Sequence, residues 1–171
     1  IGVHKNVAEI DFVSLYPAIM VHFNISPETI LPDPDAENIV PALGLAIDTS
    51  QDGLIPKALR PLLEKRIEMK KHLASTPAWD PFRKNFKRRA SALKWLLVTC
   101  FGYLGYKNAR FGRIEAHQAV TAYGREALLC AKEAAEDMGY RVIQLYVDGL
   151  WVQHPDKARP EDIKPLLLEI Q

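Results

Sequence analysis

The sequence predicts an α+β fold, in which strands near both ends of the chain flank a long helical middle. Three observations support this class. An apolar, strand-like run covers residues 6–12, two β-rich runs meet around Asp148-Gly149, and apolar residues recur at helical spacing through much of the region between them. With 171 residues and 48% hydrophobic content, the chain can bury a real core, which excludes a disordered tail.

The first strand leads directly into a predicted helix. Asp11 lies near the end of the strand, and Ser14 is expected to cap a helix that runs on to Phe23. Free backbone N–H groups at a helix start suit an anionic ligand such as a phosphate. A carboxylate beside a phosphate repels it unless a divalent cation lies between them. We therefore interpret Asp11 as half of a Mg²⁺-phosphate site.

Residues 24–53 are predicted to form a loop region over a sheet edge, with Leu45-Ala46-Ile47 as its only strand-like patch. Two helices follow, one from Lys57 to about Ser75 and one from about Phe82 to Phe101. Because the link between them is short and contains prolines, the helices are expected to form an antiparallel pair.

Positive charge is concentrated on this helix pair. The net charge of the chain is only +1, yet residues 57–113 carry fifteen Lys and Arg against three acids, and the remainder carries seven against eighteen. A polyanion bound by the basic middle and cations bound by the acidic ends would explain this distribution. A solvated, Lys-rich helix face explains the basic part equally well.

The last third of the chain predicts a helix and a hairpin. The helix runs from about Ile114 to Met138 and is closed by Gly139, and the Asp148-Gly149 step between two β-rich runs is a strong hairpin signal. Taken alone, Asp148 is more often a turn residue than a functional one. A final helix is expected from near Pro160.

Three stretches occur in an order typical of one enzyme family. They are Asp11-Phe12-Val13-Ser14-Leu15-Tyr16-Pro17-Ala18-Ile19, Lys94-Trp95-Leu96-Leu97-Val98-Thr99-Cys100-Phe101-Gly102-Tyr103 and the hairpin around Asp148. They resemble the D-F-x-S-L-Y-P-S-I, K-x-x-x-N-S-x-Y-G and Y-x-D-T-D-G signatures of family B DNA polymerases, closest to the archaeal replicative type. The first match is highly specific and departs mainly by Ala18, whereas the other two are degraded.

The alignment of the third signature decides whether the resemblance includes a catalytic site. A register without gaps places the family pattern G-F-K-V-L-Y-A-D-T-D-G over residues 139–149, so that Asp148 is the indispensable second Asp and Tyr146 replaces the auxiliary first one. A rival register pairs Tyr146 with the Tyr of the motif and places Leu150 at the position of the essential carboxylate. The site would then lack its essential metal ligand and be inactive. The first register is preferred because it keeps Gly149 in place.

The resemblance implies a polymerase palm, an antiparallel sheet with helices on one face, interrupted by a two-helix fingers subdomain. The palm would cover residues 1–53 and 106–171, and the fingers residues 54–105. The implied activity is template-directed deoxynucleotidyl transfer to a primer 3′-hydroxyl with two Mg²⁺ ions. The implied metal ligands are the catalytic residues Asp11 and Asp148, together with the Phe12 carbonyl. The implied nucleotide-binding residues are Ser14, Leu15, Tyr16, Arg66, Lys70 and Lys94, with Tyr16 as the steric gate against ribonucleotides.

The same resemblance implies the partners of the protein. They are primer-template DNA, dNTPs, and the thumb, exonuclease and amino-terminal domains of a polymerase, either in cis or as another subunit. Because the chain lacks an initiator Met and opens within an apparent strand, it is interpreted as a piece or subunit of something larger. No membrane partner is expected, and the expected location is cytoplasmic, intracellular and nucleoid-associated.

Departures from the signatures keep two other functions open. Val98 replaces the motif Asn, Phe101 replaces the motif Tyr, and Tyr146 replaces the auxiliary Asp. A catalytically weakened or inactive polymerase-derived subunit, with a DNA-binding or structural role, is the main alternative. A reverse transcriptase, suggested by Tyr146-Val147-Asp148, ranks last because such enzymes need a second Asp at Gly149 and lack the S-L-Y-P element.

Overall fold

A computed structural model describes residues 2–33, 37–157 and 159–170. Its helices are α1 (Leu15–His22), α2 (Leu54–Ser75), α3 (Arg83–Leu104), α4 (Ile114–Asp137) and α5 (Lys164–Ile170), with short 3-10 helices at Pro27–Thr29 and Pro160–Ile163. Its strands are β1 (Val7–Asp11), β2 (Ile30–Leu31), β3 (Ala46–Ile47), β4 (Arg141–Tyr146) and β5 (Gly149–Gln153). Within the described ranges, none of these helices has the length and apolar character needed to span a bilayer.

The chain forms two compact units. The first contains residues 1–12 and 124–171, and the second contains residues 13–123. The first unit holds the main antiparallel sheet, and the second holds the α2–α3 pair and the small β2–β3 sheet. The predicted α+β class is therefore confirmed.

The sheet of the first unit is antiparallel, with strand order β1-β5-β4. Alternation along the strands places Ile10, Leu150 and Val152 on one face, where they form a core with Ala131 and Ala135 of α4. Leu166 of α5 joins the same cluster. The helices of this unit therefore pack on one face of the sheet, as predicted, and the opposite face stays more open to solvent.

The β4–β5 hairpin turns one step earlier than the sequence predicts. Tyr146 pairs with Gly149, so the two turn residues are Val147 and Asp148. Val147 has a φ of 53°, and the Asp148 N–H donates to the Tyr146 carbonyl at 2.8 Å. Placing the turn at Asp148-Gly149 was wrong because Gly149 already belongs to β5. There a Cβ would lie 3.1 Å from the Ile10 carbonyl oxygen.

In the second unit, α2 and α3 pack against each other as the predicted antiparallel pair. Leu59 and Leu63 of α2 are buried, as are Leu97 and Leu104 of α3. The Arg83 guanidinium, at the start of α3, donates to the Leu73 carbonyl at 2.7 Å near the end of α2. α2 begins three residues before the predicted start and α3 ends three residues beyond the predicted end, since apolar periodicity does not mark helix ends.

The β2–β3 pair corrects the prediction of a single strand-like patch in residues 24–53. Ile30 pairs with Ile47 and Leu31 pairs with Ala46. A two-residue strand is too short to show alternation, so β2 left no periodic signal. Pro34, one of the prolines of this region, lies outside the described residues.

The start of α2 is capped from a distant loop. Gly53 stands at the N-cap and has no side chain to offer. The Glu28 carboxylate accepts from the Leu54 N–H at 2.6 Å, and the Ser26 hydroxyl accepts from the Ile55 N–H at 3.2 Å. A Cβ on residue 53 would lie 2.7 Å from the Ser26 Cβ. The absence of a side chain at Gly53 therefore permits the close approach that makes this capping possible.

Glu28→Gln is expected to make the protein less stable at pH 7 by about 0.5–1 kcal/mol, a small value because the carboxylate is largely exposed. Partial burial would raise the pKa of Glu28, but hydrogen bonds from Leu54 and Ser26 outweigh it and lower the pKa. A lowered folded-state pKa gives stability that is present above the unfolded value of about 4.3 and is lost as the pH falls through the folded-state pKa.

Urea unfolding at pH 7 and at about pH 3 tests this expectation. The difference between wild type and Glu28→Gln should shrink toward zero at the lower pH. Glu37→Gln, which changes an exposed Glu of the same unit, is the matched control and should leave stability unchanged at both values. A Glu28→Gln effect of the same size at both pH values would contradict the capping role of the ionised carboxylate.

Candidate functional site

The two predicted catalytic acids lie together at one end of the main sheet. Asp11 is the last residue of β1 and pairs with Gly149, the first residue of β5. Asp148 immediately precedes Gly149, and its carbonyl accepts from the Phe12 N–H at 2.8 Å. Asp11 and Asp148 are both exposed. The fold therefore places two carboxylate residues that are far apart in the sequence on adjoining backbone segments.

The environment of Leu150 differs from that of Asp148. Leu150 is fully buried in the core of the first unit, whereas Asp148 is exposed in the hairpin turn. The rival register requires the essential carboxylate at residue 150, which would place a charge among apolar side chains. The environment of a metal ligand is thus available at Asp148 and not at residue 150.

The donors at this end of the sheet fit Mg²⁺. Two carboxylates and a backbone carbonyl are hard oxygen ligands, and Mg²⁺ is commonly bound by one or two carboxylates together with water and substrate phosphates. Within the described parts of the chain, no group of three or more His, Cys, Asp or Glu could hold a metal ion. Asp11 and Asp148 would therefore need the Phe12 carbonyl and oxygens from outside the protein to complete the coordination.

Ser14 occupies the predicted N-cap position of α1, but its side chain does not cap the helix. Its φ of 59° is left-handed, and the side chain forms no capping hydrogen bond. Side-chain capping needs an extended conformation at this position, so the predicted capping bond was wrong. The Ser14 hydroxyl instead accepts a hydrogen bond from the Arg66 guanidinium of α2. Leu15 is buried directly after it.

The predicted basic residues of the helix pair line one cleft. Arg66 and Lys70 of α2 face Lys94 of α3 across a space of about 270 Å³. Arg66 is only 7% exposed, whereas Lys70 and Lys94 are exposed. The cleft is also lined by four residues that the sequence patterns do not predict as site residues: Leu73, Lys87, Ala90 and Ser91. The sequence does contain a signal for Lys87, because its spacing of seven from Lys94 places both residues on one helix face.

Tyr16, the predicted steric gate, belongs to a stack of three rings. Its ring centroid lies 4.4 Å from that of Phe101, which lies 4.2 Å from that of His117. A Cβ on Gly105 would lie 2.9 Å from the His117 ring, so the glycine makes room for this stack. His117 is one of five scattered histidines, and no pattern in the sequence singles it out. A Cβ on Gly102, by contrast, would meet no atom within 4 Å, so the stack does not require a glycine there.

Comparison with known proteins places this geometry in a family. A family model described as DNA polymerase family B matches residues 2–161. The chain belongs to DNA polymerase family B. It is 39% identical over 152 residues to DNA polymerase 2 of Saccharolobus solfataricus, a match that covers 89% of the chain and 22% of that relative. The DNA polymerase of Pyrococcus glycovorans is 34% identical over 171 residues, with coverage of 98% and 22%.

A solved structure agrees with this family assignment. The family B DNA polymerase of the hyperthermophilic archaeon Pyrobaculum calidifontis matches with a TM-score of 0.75 and 31% identity. The match covers 96% of the chain and 22% of that polymerase. The chain thus spans about a fifth of the length of its family B relatives, and the resemblance inferred from the three signatures is confirmed.

The three departures from the family B signatures have different surroundings. Val98 and Tyr146 are exposed, whereas the Phe101 ring lies between Tyr16 and His117. Replacing the motif Tyr by Phe removes a hydroxyl and keeps the ring that the stack requires. Val98 replaces a hydrogen-bonding amide by an apolar side chain, so it changes what the exposed face of α3 can bind.

Proposed function

We propose that the protein containing this chain carries out template-directed DNA synthesis by transferring deoxynucleotides to a primer 3′-hydroxyl. One observation supports this most directly: Asp11 and Asp148 lie at the same end of one sheet, on backbone segments joined by the Phe12–Asp148 hydrogen bond. Two carboxylates that meet at one end of a sheet, one from a strand and one from a hairpin turn, are the kind of ligand set that a pair of Mg²⁺ ions needs for nucleotidyl transfer.

The first unit would supply the metal ligands. Asp11 and Asp148 would hold two Mg²⁺ ions through their carboxylates, with the Phe12 carbonyl as a further ligand. The chemistry that such a pair supplies when bound is activation of the primer hydroxyl and neutralisation of charge on the leaving pyrophosphate. The exposure of both acids leaves them accessible to a substrate. Gly149 keeps β5 close to β1, so the backbone holds the two acids in a fixed register.

The second unit would bind the triphosphate. Lys70 and Lys94 line the cleft from opposite helices, and Lys87 adds a third cation that we include in the clamp. Charges held in place by two packed helices neutralise developing phosphate charge without having to reorganise during the reaction. Arg66 takes part from a buried position, where its bond to Ser14 ties α2 to the start of α1.

The start of α1 would complete the nucleotide site. Backbone N–H groups of Leu15 and Tyr16 lie in the first turn, where helix N–H groups have no intrahelical partner and suit phosphate oxygens. The Tyr16 ring would exclude a ribose 2′-hydroxyl. Its packing against Phe101 supports that role, because a ring held from one side cannot easily move aside for a larger sugar.

This function assigns the parts of the chain to polymerase subdomains. Residues 1–53 and 106–171 would belong to the palm, and residues 54–105 would form the fingers. The partners would be primer-template DNA, dNTPs and the other polymerase domains, including thumb, exonuclease and amino-terminal domains, in cis or as another subunit. Relatives of about five times the length support the presence of such domains. A DNA substrate also favours an intracellular, nucleoid-associated location.

A second function is favoured by one specific observation. Tyr146 occupies the position of the auxiliary Asp and is exposed at the end of the sheet where Asp11 and Asp148 lie. Loss of that acid, together with Val98, fits a subunit that binds DNA without extending it. The gap-free register keeps the essential acid at Asp148, so we rank this alternative second.

Single-nucleotide primer extension by the full-length protein separates the two functions. With Mg²⁺ and a template of defined sequence, the polymerase function predicts incorporation of the complementary dNTP only, and no incorporation without metal. Tight binding of primer-template DNA without any template-directed incorporation would reject the enzymatic function and support the DNA-binding subunit.

A further inference from the structure

The link between α2 and α3, residues 76–82, exposes two large aromatic side chains. We call this link the tip. Trp79 is 83% exposed and Phe82 is 66% exposed. Trp side chains are on average highly buried in proteins, so a Trp and a Phe that both protrude from seven consecutive residues form an unusual surface.

Hydrogen bonds hold the tip in place. The Asp80 N–H donates to the Pro77 carbonyl at 3.2 Å, which closes a turn with Trp79 inside it. The Asp80 carboxylate accepts from the Phe82 N–H at 2.7 Å. The Arg83 guanidinium binds the Leu73 carbonyl across the base of the tip. The two rings are therefore presented by a bonded scaffold, and their exposure does not result from a loose loop.

The surroundings of the tip are strongly basic. Residues 70–94 carry eight Lys and Arg against one acid, Asp80, whose carboxylate is used within the tip. Lys71, Lys84 and Arg88 lie in the adjoining turns of α2 and α3 and are exposed. Among the described residues, none of these three forms an ion pair. The tip and the adjoining turns thus combine the flat apolar faces of two aromatic rings with positive charge that no ion pair in the described ranges compensates.

We propose that the tip is a binding site for single-stranded DNA, with unpaired bases stacked on Trp79 and Phe82 and phosphates bound by Lys71, Lys84 and Arg88. Exposed aromatic rings among cations are what proteins use to bind single strands without sequence preference. An acidic peptide would satisfy the charges but offers no row of flat faces. Duplex DNA would satisfy the charges but keeps its bases stacked on each other.

The tip adjoins the nucleotide cleft, because Leu73 and Lys87 line that cleft and lie in the turns of α2 and α3 next to the tip. Phe82 and Gly102 are twenty residues apart along α3, which corresponds to about 30 Å. The tip would therefore contact a strand beyond the cleft, at the end of α3 that lies opposite Gly102. That this strand is the unpaired template rests on the proposed function, whereas the binding itself requires no catalysis.

The test compares DNA affinities of the full-length protein and its variants by fluorescence anisotropy. The probes are a single strand of about fifteen thymidines and primer-templates with overhangs of about fifteen and about three nucleotides. Trp79→Ala removes one stacking face and Trp79→Phe keeps it. The matched control is Leu168→Ala, which removes a 73% exposed apolar side chain from α5.

Trp79→Ala is expected to weaken binding of the single strand and the long overhang by about tenfold, and to leave the short overhang unchanged. The affinity of Trp79→Phe for each probe should stay within about threefold of the wild-type affinity, and Leu168→Ala should bind each probe as wild type does. Equal weakening on both overhangs, or no weakening on either, would overturn the proposal. A lower melting temperature for DNA-free Trp79→Ala than for Leu168→Ala would also overturn it, because the tip would then pack against another part of the protein.

Failure of this proposal and failure of the proposed function give different results. Both the polymerase function and the tip site stand if Trp79→Ala incorporates a nucleotide on the short overhang at the wild-type rate but binds the long overhang about tenfold more weakly. If wild type fails to incorporate at all but binds the single strand in a Trp79-dependent manner, the polymerase function is rejected and the tip site stands.

Discussion

Asp148→Asn is expected to lower the kcat of primer extension by about a thousandfold or more in the full-length protein, with little change in DNA affinity. The substitution keeps the size of the side chain and removes its charge. Asp148 is exposed in the hairpin turn, so stability should be nearly unaffected. The effect would therefore fall on the chemical step, where a shared carboxylate ligand cannot be replaced by an amide.

Glu9→Gln is the matched control for this experiment. Glu9 is an exposed acid on β1, two residues before Asp11 and on the same face of the strand. It should retain a kcat close to that of wild type. A kcat for Asp148→Asn within about tenfold of wild type would mean that the essential acid lies elsewhere.

Lys94→Ala is expected to raise the KM for dNTP by about tenfold to a hundredfold. Lys94 lines the basic cleft opposite Arg66 and Lys70, and a charge-assisted bond to a triphosphate oxygen would be lost. Affinity for duplex DNA should change by less than about threefold, because one surface cation contributes little to a long polyanion interface.

Steady-state kinetics at varied dNTP concentration, together with DNA binding by anisotropy, checks this prediction. Arg89→Ala removes an exposed cation from the same helix that does not line the cleft, and it should leave the KM for dNTP unchanged. If Lys94→Ala weakened DNA binding without raising that KM, the cleft would be a DNA contact and not a triphosphate clamp.

Long, periodic elements could be predicted from the sequence, and short or locally strained ones could not. The α2–α3 pair, α4 and the β4–β5 hairpin follow from apolar spacing and from turn residues. β2 has two residues and no period to detect, and it is specified by pairing with β3. The turn at Val147 requires a positive φ, which a β-branched residue does not suggest.

The residues of the candidate site divide in the same way, into those that sequence motifs predict and those that only tertiary contacts specify. A specific motif predicts Asp11 as a site residue, whereas Asp148 is predicted only from the alignment of the degraded third signature. Their approach depends on β1 pairing with β5, a contact between distant segments that local patterns do not encode. The residue type of Ser14 predicts a capping role, yet its backbone is left-handed and its hydroxyl accepts a hydrogen bond from Arg66. The Phe101–His117 contact likewise depends on tertiary packing.

Binding of Mn²⁺ as a substitute for Mg²⁺ tests the central claim most directly. Electron paramagnetic resonance of the full-length protein, bound to primer-template DNA with a terminated primer and the matching dNTP, reports metal binding without turnover. A site shared by two acids predicts that Asp11→Asn and Asp148→Asn each weaken Mn²⁺ binding by about tenfold or more, and that the double variant loses little further. Wild-type Mn²⁺ affinity in both single variants would contradict a metal site formed by Asp11 and Asp148.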